Sequence, residues 1–176
     1  MEVWKEFEQN EITHSIAHHL MAVDDLLRGQ GYSRVTDVAK YLNITKGSAS
    51  ITLKQLKERG YLEVDENKFV HLTDMGEHTV RSVIAKREII IKFLTEVLKV
   101  NPEQAEIDAC KIEHLISKES GEQLLHFVQF TLSDDEKAST FLNALGKFQP
   151  VAGDVENCNL CIDECKYIEI CEVCTP

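Results

Sequence analysis

The sequence predicts a mainly α protein with one small β-hairpin and a cysteine-rich end. Three observations predict it. Apolar residues recur at three- and four-residue spacing along most of the first 148 positions, the stretch 61–72 switches to two short β-type runs around a polar turn, and five of the six cysteines crowd into 158–174.

Residues 11–28 read as the first helix because Ile12, Ile16, Leu20, Val23 and Leu27 make a single apolar stripe that Gly29 to Gly31 ends. "RVTDVAKYLN" gives a short second helix with Val35, Val38, Ala39 and Leu42 inward. Thr45 suits the cap of a third, "KGSASITLKQLKERG", which buries Ala49, Leu53 and Leu56 and stops at Gly60. Tyr61–Val64 and Phe69–Leu72 then flank the turn Asp65–Lys68 as a hairpin. Helix, helix, turn, helix, hairpin is the order of a winged helix-turn-helix domain, assigned to residues 1–73. In such a domain the third helix is short enough to enter a major groove, and the wing lies along the DNA backbone.

From Asp74 to Val100 the pattern predicts one long helix, with Val80, Val83, Ile84, Ile90, Ile91, Phe93, Leu94 and Val97 apolar. Pro102 suits the first turn of the next, "PEQAEIDACKIEHLISKE". Helices over "SGEQLLHFVQFTL" and "SDDEKASTFLNALGKF" follow. So many large aliphatics exceed what a small helical unit needs for itself, so 74–148 reads as a dimerisation domain rather than only a packed subdomain. "QPVAGD" then leads into the cysteine-rich tail, 149–176.

At 176 residues the chain does not need cross-links to build a core. No charged segment followed by an apolar one precedes Trp4, and no apolar run approaches the roughly 18 residues of a membrane span. The expectation is a cytoplasmic protein that uses no membrane. There thiols stay reduced, so the tail cysteines read as metal or cluster ligands before disulfides. The net charge of −11 excludes a protein that coats nucleic acid, yet Arg28 to Lys92 holds 12 Lys/Arg against 8 Asp/Glu, a net of +4, while the remainder carries −15. A basic segment inside an acidic chain fits a localised DNA-binding face.

"DACKIEHLIS" is the sharpest local signal. On a helix Cys110, Glu113 and His114 sit at i, i+3 and i+4 and project from one side, close enough to share an ion. Their mixed S, O and N donors suit Fe2+, Co2+, Ni2+ or Zn2+ better than Mg2+ or Ca2+. Further ligands are available on the first helix, where Glu11, His14, His18 and Met21 fall on the side away from the apolar stripe. A catalytic pairing of Cys110 with His114 is disfavoured because no Gly-rich oxyanion loop or orienting partner accompanies it, so no enzymatic activity is expected.

The stretches "GYSRVTDVAKYLNITKGSASITLKQLKERGYL", "VHLTDMG" and above all "DACKIEHLIS" resemble the diphtheria toxin repressor/manganese transport regulator family of metal-dependent transcription factors, over roughly residues 12–132. The resemblance implies that Cys110, Glu113 and His114 hold the principal metal, with a first-helix ligand at His18 and Met21 one turn later. It implies Fe2+ or Mn2+ as corepressor, with Zn2+, Co2+ or Ni2+ as further candidates, a homodimer and a palindromic double-stranded DNA operator. Two departures stand out. The family usually has Met or Asp where His18 stands, and Arg87 replaces an ancillary-site histidine, so that site is expected to be absent or rebuilt, with Glu106 as a contributor. Thr45, Lys46, Ser48, Ser50 and Thr52 are the expected contacts to bases or phosphates, and Arg34, Lys54 and Lys68 those to phosphates alone.

The tail departs from the family altogether. Cys158, Cys161, Cys165, Cys171 and Cys174 follow C-x2-C-x3-C-x5-C-x2-C, which fits a 4Fe–4S cluster or, with Cys165 spare, Zn2+. The cluster is the preferred expectation. It also defines the alternative function, an electron-transfer protein for which the helices are only a dimer scaffold.

Overall fold

A computed structural model describes residues 12–148, in which the chain up to Ser133 forms one compact unit and the chain from Asp134 a second. Glu11 and the five tail cysteines lie outside the described residues.

Helix α1, His14–Gln30, begins where Thr13 Oγ1 accepts the Ile16 N–H at 3.4 Å, and ends at Gly31, whose φ of 81° lets its own N–H reach the Leu27 carbonyl. Helices α2, Val35–Tyr41, and α3, Lys46–Glu58, pack on it. Leu20, Val23, Val38, Leu53 and Leu56 are buried together with Leu62, Val70 and Val80. At roughly 1.5–3 kcal/mol per fully buried aliphatic side chain, this cluster supplies the main drive for the first three helices to assemble. It is the stripe expected from the sequence, with His19 and Asp24 also buried on α1.

Strands β1, Leu62–Val64, and β2, Val70–Leu72, pair antiparallel with Leu62 opposite Leu72. Their turn is held by Asp65, whose Oδ1 accepts the Phe69 N–H at 2.8 Å, and by Lys68 in the left-handed region at φ 65°. The Val70 N–H donates to the Ser33 carbonyl at 2.8 Å, tying the wing to the loop before α2.

Thr73 joins the wing to helix α4, Asp74–Lys92: its hydroxyl donates to the Gly60 carbonyl and accepts the Gly76 N–H. Gly76 is required by close approach, since a Cβ there would collide with the Tyr61 carbonyl oxygen. The long helix expected to Val100 is interrupted. Residues Phe93–Val97 form a π-helical turn in which the Leu98 N–H reaches the Phe93 carbonyl at 3.1 Å, and Lys99 at φ 59° closes the segment. Thr95 donates its hydroxyl to the Ile91 carbonyl at 2.9 Å, competing with the backbone amide for that acceptor.

Helix α5, Pro102–Ile112, has Pro102 in its first turn behind an Asn101 cap. It stops earlier than the periodicity suggests because Ser117 restarts the chain as the cap of α6, Lys118–Thr131, and Lys86 Nζ ties off the intervening turn at the Ile116 carbonyl, 2.9 Å away. Helix α7, Glu136–Lys147, belongs to the second unit and is capped by Asp135. No helix of the described residues is long and apolar enough to cross a membrane.

Candidate metal centre and nucleic-acid interface

His14 and His18 stand one turn apart on α1, and Cys110 lies in the last turn of α5. His18 Nε2 is 3.2 Å from Cys110 Sγ, and one ligand atom from each of His14, His18 and Cys110 lies within 4.8 Å of the other two. The His14 ring is 4.3 Å from that of His18 and 5.4 Å from that of His114, centre to centre. Burial holds His18 below the usual histidine range, helped by its neighbours His14 and Arg87, and burial likewise lowers His114. Both imidazoles therefore favour the neutral form that ligates a metal. Burial pushes the Cys110 thiol up, with Glu113 adding to the effect.

Glu113 and His114 follow the end of α5 rather than riding on it. Glu113 keeps helical dihedrals, φ −53° and ψ −35°, and its N–H still reaches the Ala109 carbonyl, so the side-by-side placement with Cys110 survives the helix end. Its side chain is fully buried, and neither carboxylate oxygen has a hydrogen-bond partner among the described residues. A carboxylate in that condition is costly unless a cation faces it. Burial raises its affinity for a proton, and Arg87, with Nε 3.8 Å from Oε2, opposes the rise. Arg87 also donates to Glu106 at 3.0 Å. Where an ancillary metal was in question, the chain thus places a guanidinium between two carboxylates.

Met21 is the exception among the metal candidates: it is half-buried against the hydrophobic cluster rather than turned away from it. A thioether three residues after His18 is as useful to a core as to a metal, and the core takes it. His14 is the candidate whose value the sequence left weakest, because an isolated histidine on a helix face is usually only solvated. The i, i+4 spacing to His18 was its one signal.

On α3, Thr45, Lys46, Ser48, Ser50 and Ile51 are exposed, Ile51 at 65%. Thr45 Oγ1 already accepts the Ser48 N–H at 3.2 Å, so it serves as the helix cap. Thr52 is half-buried, and Lys54 pairs with Glu58 at 3.8 Å. The Arg34 guanidinium stacks over the Phe69 ring at 4.4 Å, which links the start of α2 to the wing, and exposed Lys68 sits at the wing's turn.

Two family models match this chain: the iron dependent repressor N-terminal DNA binding domain over residues 11–70, and the iron dependent repressor metal binding and dimerisation domain over 73–141. The chain belongs to the iron dependent repressor family. It is accordingly a metal-responsive DNA-binding transcriptional regulator, and the electron-transfer alternative finds no support in these matches. Among curated relatives it is 28% identical to the HTH-type transcriptional regulator MntR of Lysinibacillus sphaericus, over 66% of this chain and 84% of that protein. To the transcriptional regulator MntR of Salmonella typhimurium it is 31% identical, over 65% of this chain and 72% of that one. Solved structures of similar fold include the metal-dependent transcriptional regulator MtsR (TM-score 0.61, 21% identity, 68% of this chain and 55% of that one). The T. acidophilum IdeR structure is a further one (TM-score 0.53, 19% identity, 66% and 54%). The chain spans about half the length of those two solved proteins.

Proposed function

We propose that this regulator is a homodimeric repressor of metal-homeostasis genes, with Fe2+ or Mn2+ as corepressor held by His18, Cys110, Glu113 and His114. The 3.2 Å approach of His18 to Cys110 carries this reading, because it joins the first helix of the DNA-binding segment to the helix that ends at Glu113. Buried Glu113, without a hydrogen bond to either oxygen, supports a cation as the fitting partner. A bound divalent ion supplies positive charge shared by ligands from both segments. His18 and Cys110 then hold α1 and α5 in one relative arrangement, and any DNA-competent geometry that requires that arrangement gains population.

On the DNA side, the exposed N-terminal half of α3 presents Ser48 and Ser50 to a major groove and Lys46 to an adjoining phosphate, with Ile51 offering apolar contact to a thymine methyl. Arg34, Lys54 and Lys68 face the phosphates. Two such helices in a dimer read the halves of a palindrome. For the tail cysteines, 158–174, the reading is a 4Fe–4S cluster, tested by absorbance near 400 nm and by iron, sulfide and zinc content after anaerobic purification.

The test of the main reading is operator binding measured with and without Fe2+ or Mn2+, in wild type and in Cys110→Ala and Glu113→Ala. Metal-dependent binding that both variants lose is the expected result. Binding that ignores metal overturns it.

A further inference from the structure

We propose that His14 is a ligand of the sensing site, and that His14 with His18, Cys110, Glu113 and His114 forms a nitrogen- and sulfur-rich centre that prefers borderline divalent cations such as Fe2+, Co2+ or Zn2+ over Mn2+. This rests on reading the pocket as the metal-sensing site and goes further in naming the donor set and the class of ion.

Four observations converge. First, His14 and His18 are four residues apart on one helix, the spacing at which two imidazoles on a helix face share one ion. Second, their ligand atoms and Cys110 Sγ lie within 4.8 Å of one another. Bond lengths of about 2.1 Å to nitrogen and 2.3 Å to sulfur put neighbouring donors about 3.0–3.6 Å apart, a small side-chain adjustment from there. Third, the His14 ring also lies 5.4 Å from that of His114, so a third imidazole, just past the end of α5, adjoins the group. Fourth, Arg87 bonds Glu106 at 3.0 Å and so draws that carboxylate away, while Glu113, 3.8 Å from Arg87 and without a hydrogen bond to either oxygen, stays available as an oxygen donor.

The first three observations bring sulfur and nitrogen donors together, and the fourth leaves one carboxylate, Glu113, beside them. Mn2+ gains most from carboxylate, carbonyl and water oxygens, whereas imidazole and thiolate favour the later ions. His14 is exposed, so it forms the mouth of the site, where it can close on an ion held by the deeper His18 and Cys110.

The experiment is an anaerobic Co2+ titration of the full-length reduced protein, followed by near-ultraviolet thiolate-to-cobalt charge transfer and visible d–d bands. The tail thiols contribute alike to every variant, so the signal of this site is the difference between wild type and Cys110→Ser. The expected result is that His14→Ala weakens the Cys110-dependent binding by at least roughly tenfold and alters the d–d bands, since a ligand is lost, while His126→Ala, at an exposed histidine outside the cluster, matches wild type. His14→Asp, which returns an oxygen donor, is expected to lower the ratio of Co2+ to Mn2+ affinity by about fivefold or more. If His14→Ala keeps wild-type affinity and spectrum, His14 is not a ligand and this inference falls, while the Cys110 difference leaves the sensing reading standing. An unchanged affinity ratio in His14→Asp overturns the preference. If wild type and Cys110→Ser bind Co2+ identically, both the inference and the reading beneath it fail.

Discussion

His18 Nε2 and Cys110 Sγ stand 3.2 Å apart although 92 positions separate them in the chain. The contact joins α1, whose other face builds the core of the winged domain, to the end of α5. Removing either partner is expected to uncouple metal from structure while leaving the metal-free fold in place, because both lie outside the main hydrophobic cluster.

For Cys110→Ser the expectation is therefore thermal. Metal at about one hundred times its dissociation constant stabilises by about 2.7 kcal/mol. In a chain of this size that corresponds to a rise of roughly 5–10 °C in Tm. Calorimetry of wild type should show this rise and Cys110→Ser should lose most of it, with metal-free Tm values within about 2 °C of each other. Equal metal-induced rises in the two proteins defeat the assignment.

Arg87 answers two carboxylates, and Glu113 is fully buried. Arg87→Ala leaves Glu113 without that cation and is expected to cost the metal-free protein about 1–3 kcal/mol, less than the full loss of a tight buried pair because the 3.8 Å contact is long and the Arg87 side chain is 29% exposed. Metal should restore much of the loss. Denaturant titration with and without metal checks both halves, and an unaltered metal-free midpoint contradicts the role given to Arg87.

Thr45 and Lys46 adjoin but do different things. Thr45→Ala removes the acceptor of the Ser48 N–H and is expected to cost about 1 kcal/mol of stability, which Thr45→Ser recovers. Lys46→Ala should leave stability unchanged and reduce the slope of log binding constant against log salt by about 1, the signature of one lost phosphate contact. A Lys46→Ala protein with the wild-type salt slope removes that lysine from the interface.

The wing carries a pH dependence. The Phe69 N–H bonded to Asp65 holds its carboxyl below the usual carboxylate range, helped by His71. A group depressed in the folded state stabilises above its unfolded pKa, about 3.9, and loses that contribution as pH falls through the lower folded value. The stability gap between wild type and Asp65→Ala should hold from pH 7 to about 5 and close below about 4. A gap that does not change with pH refutes the carboxylate's part in the turn.

The winged domain was legible because each signal was local: the stripe Ile16–Leu20–Val23, the Thr45 cap, and the change of period at Tyr61. The set Cys110–Glu113–His114 was legible for the same reason, as spacing along one stretch. The rest depended on tertiary choices that spacing does not encode. Met21 faces a core that only the packed helices create, and Arg87 meets Glu106 and Glu113 only once α4 and α5 lie together. The helix ends at Lys92 and Ile112 were hidden in apolar runs whose period is nearly the same on either side, and the side-chain bonds beside them, from Thr95 to the Ile91 carbonyl and from Lys86 to the Ile116 carbonyl, are contacts that spacing does not encode.

The π-helical turn at Phe93–Val97 has a consequence for tolerance to length change. An α-helix advances about 100° per residue, so deleting one position inside α1 would swing His14 away from His18 and the core stripe out of phase. A π turn already holds one residue more than an α turn needs. Deleting Thr95 is expected to let the turn revert to ordinary helix, with the buried Val97 kept in phase with Asp74–Lys92. The chain thus carries a one-residue slack between Arg87 and Cys110, on the path that joins the guanidinium to the thiol.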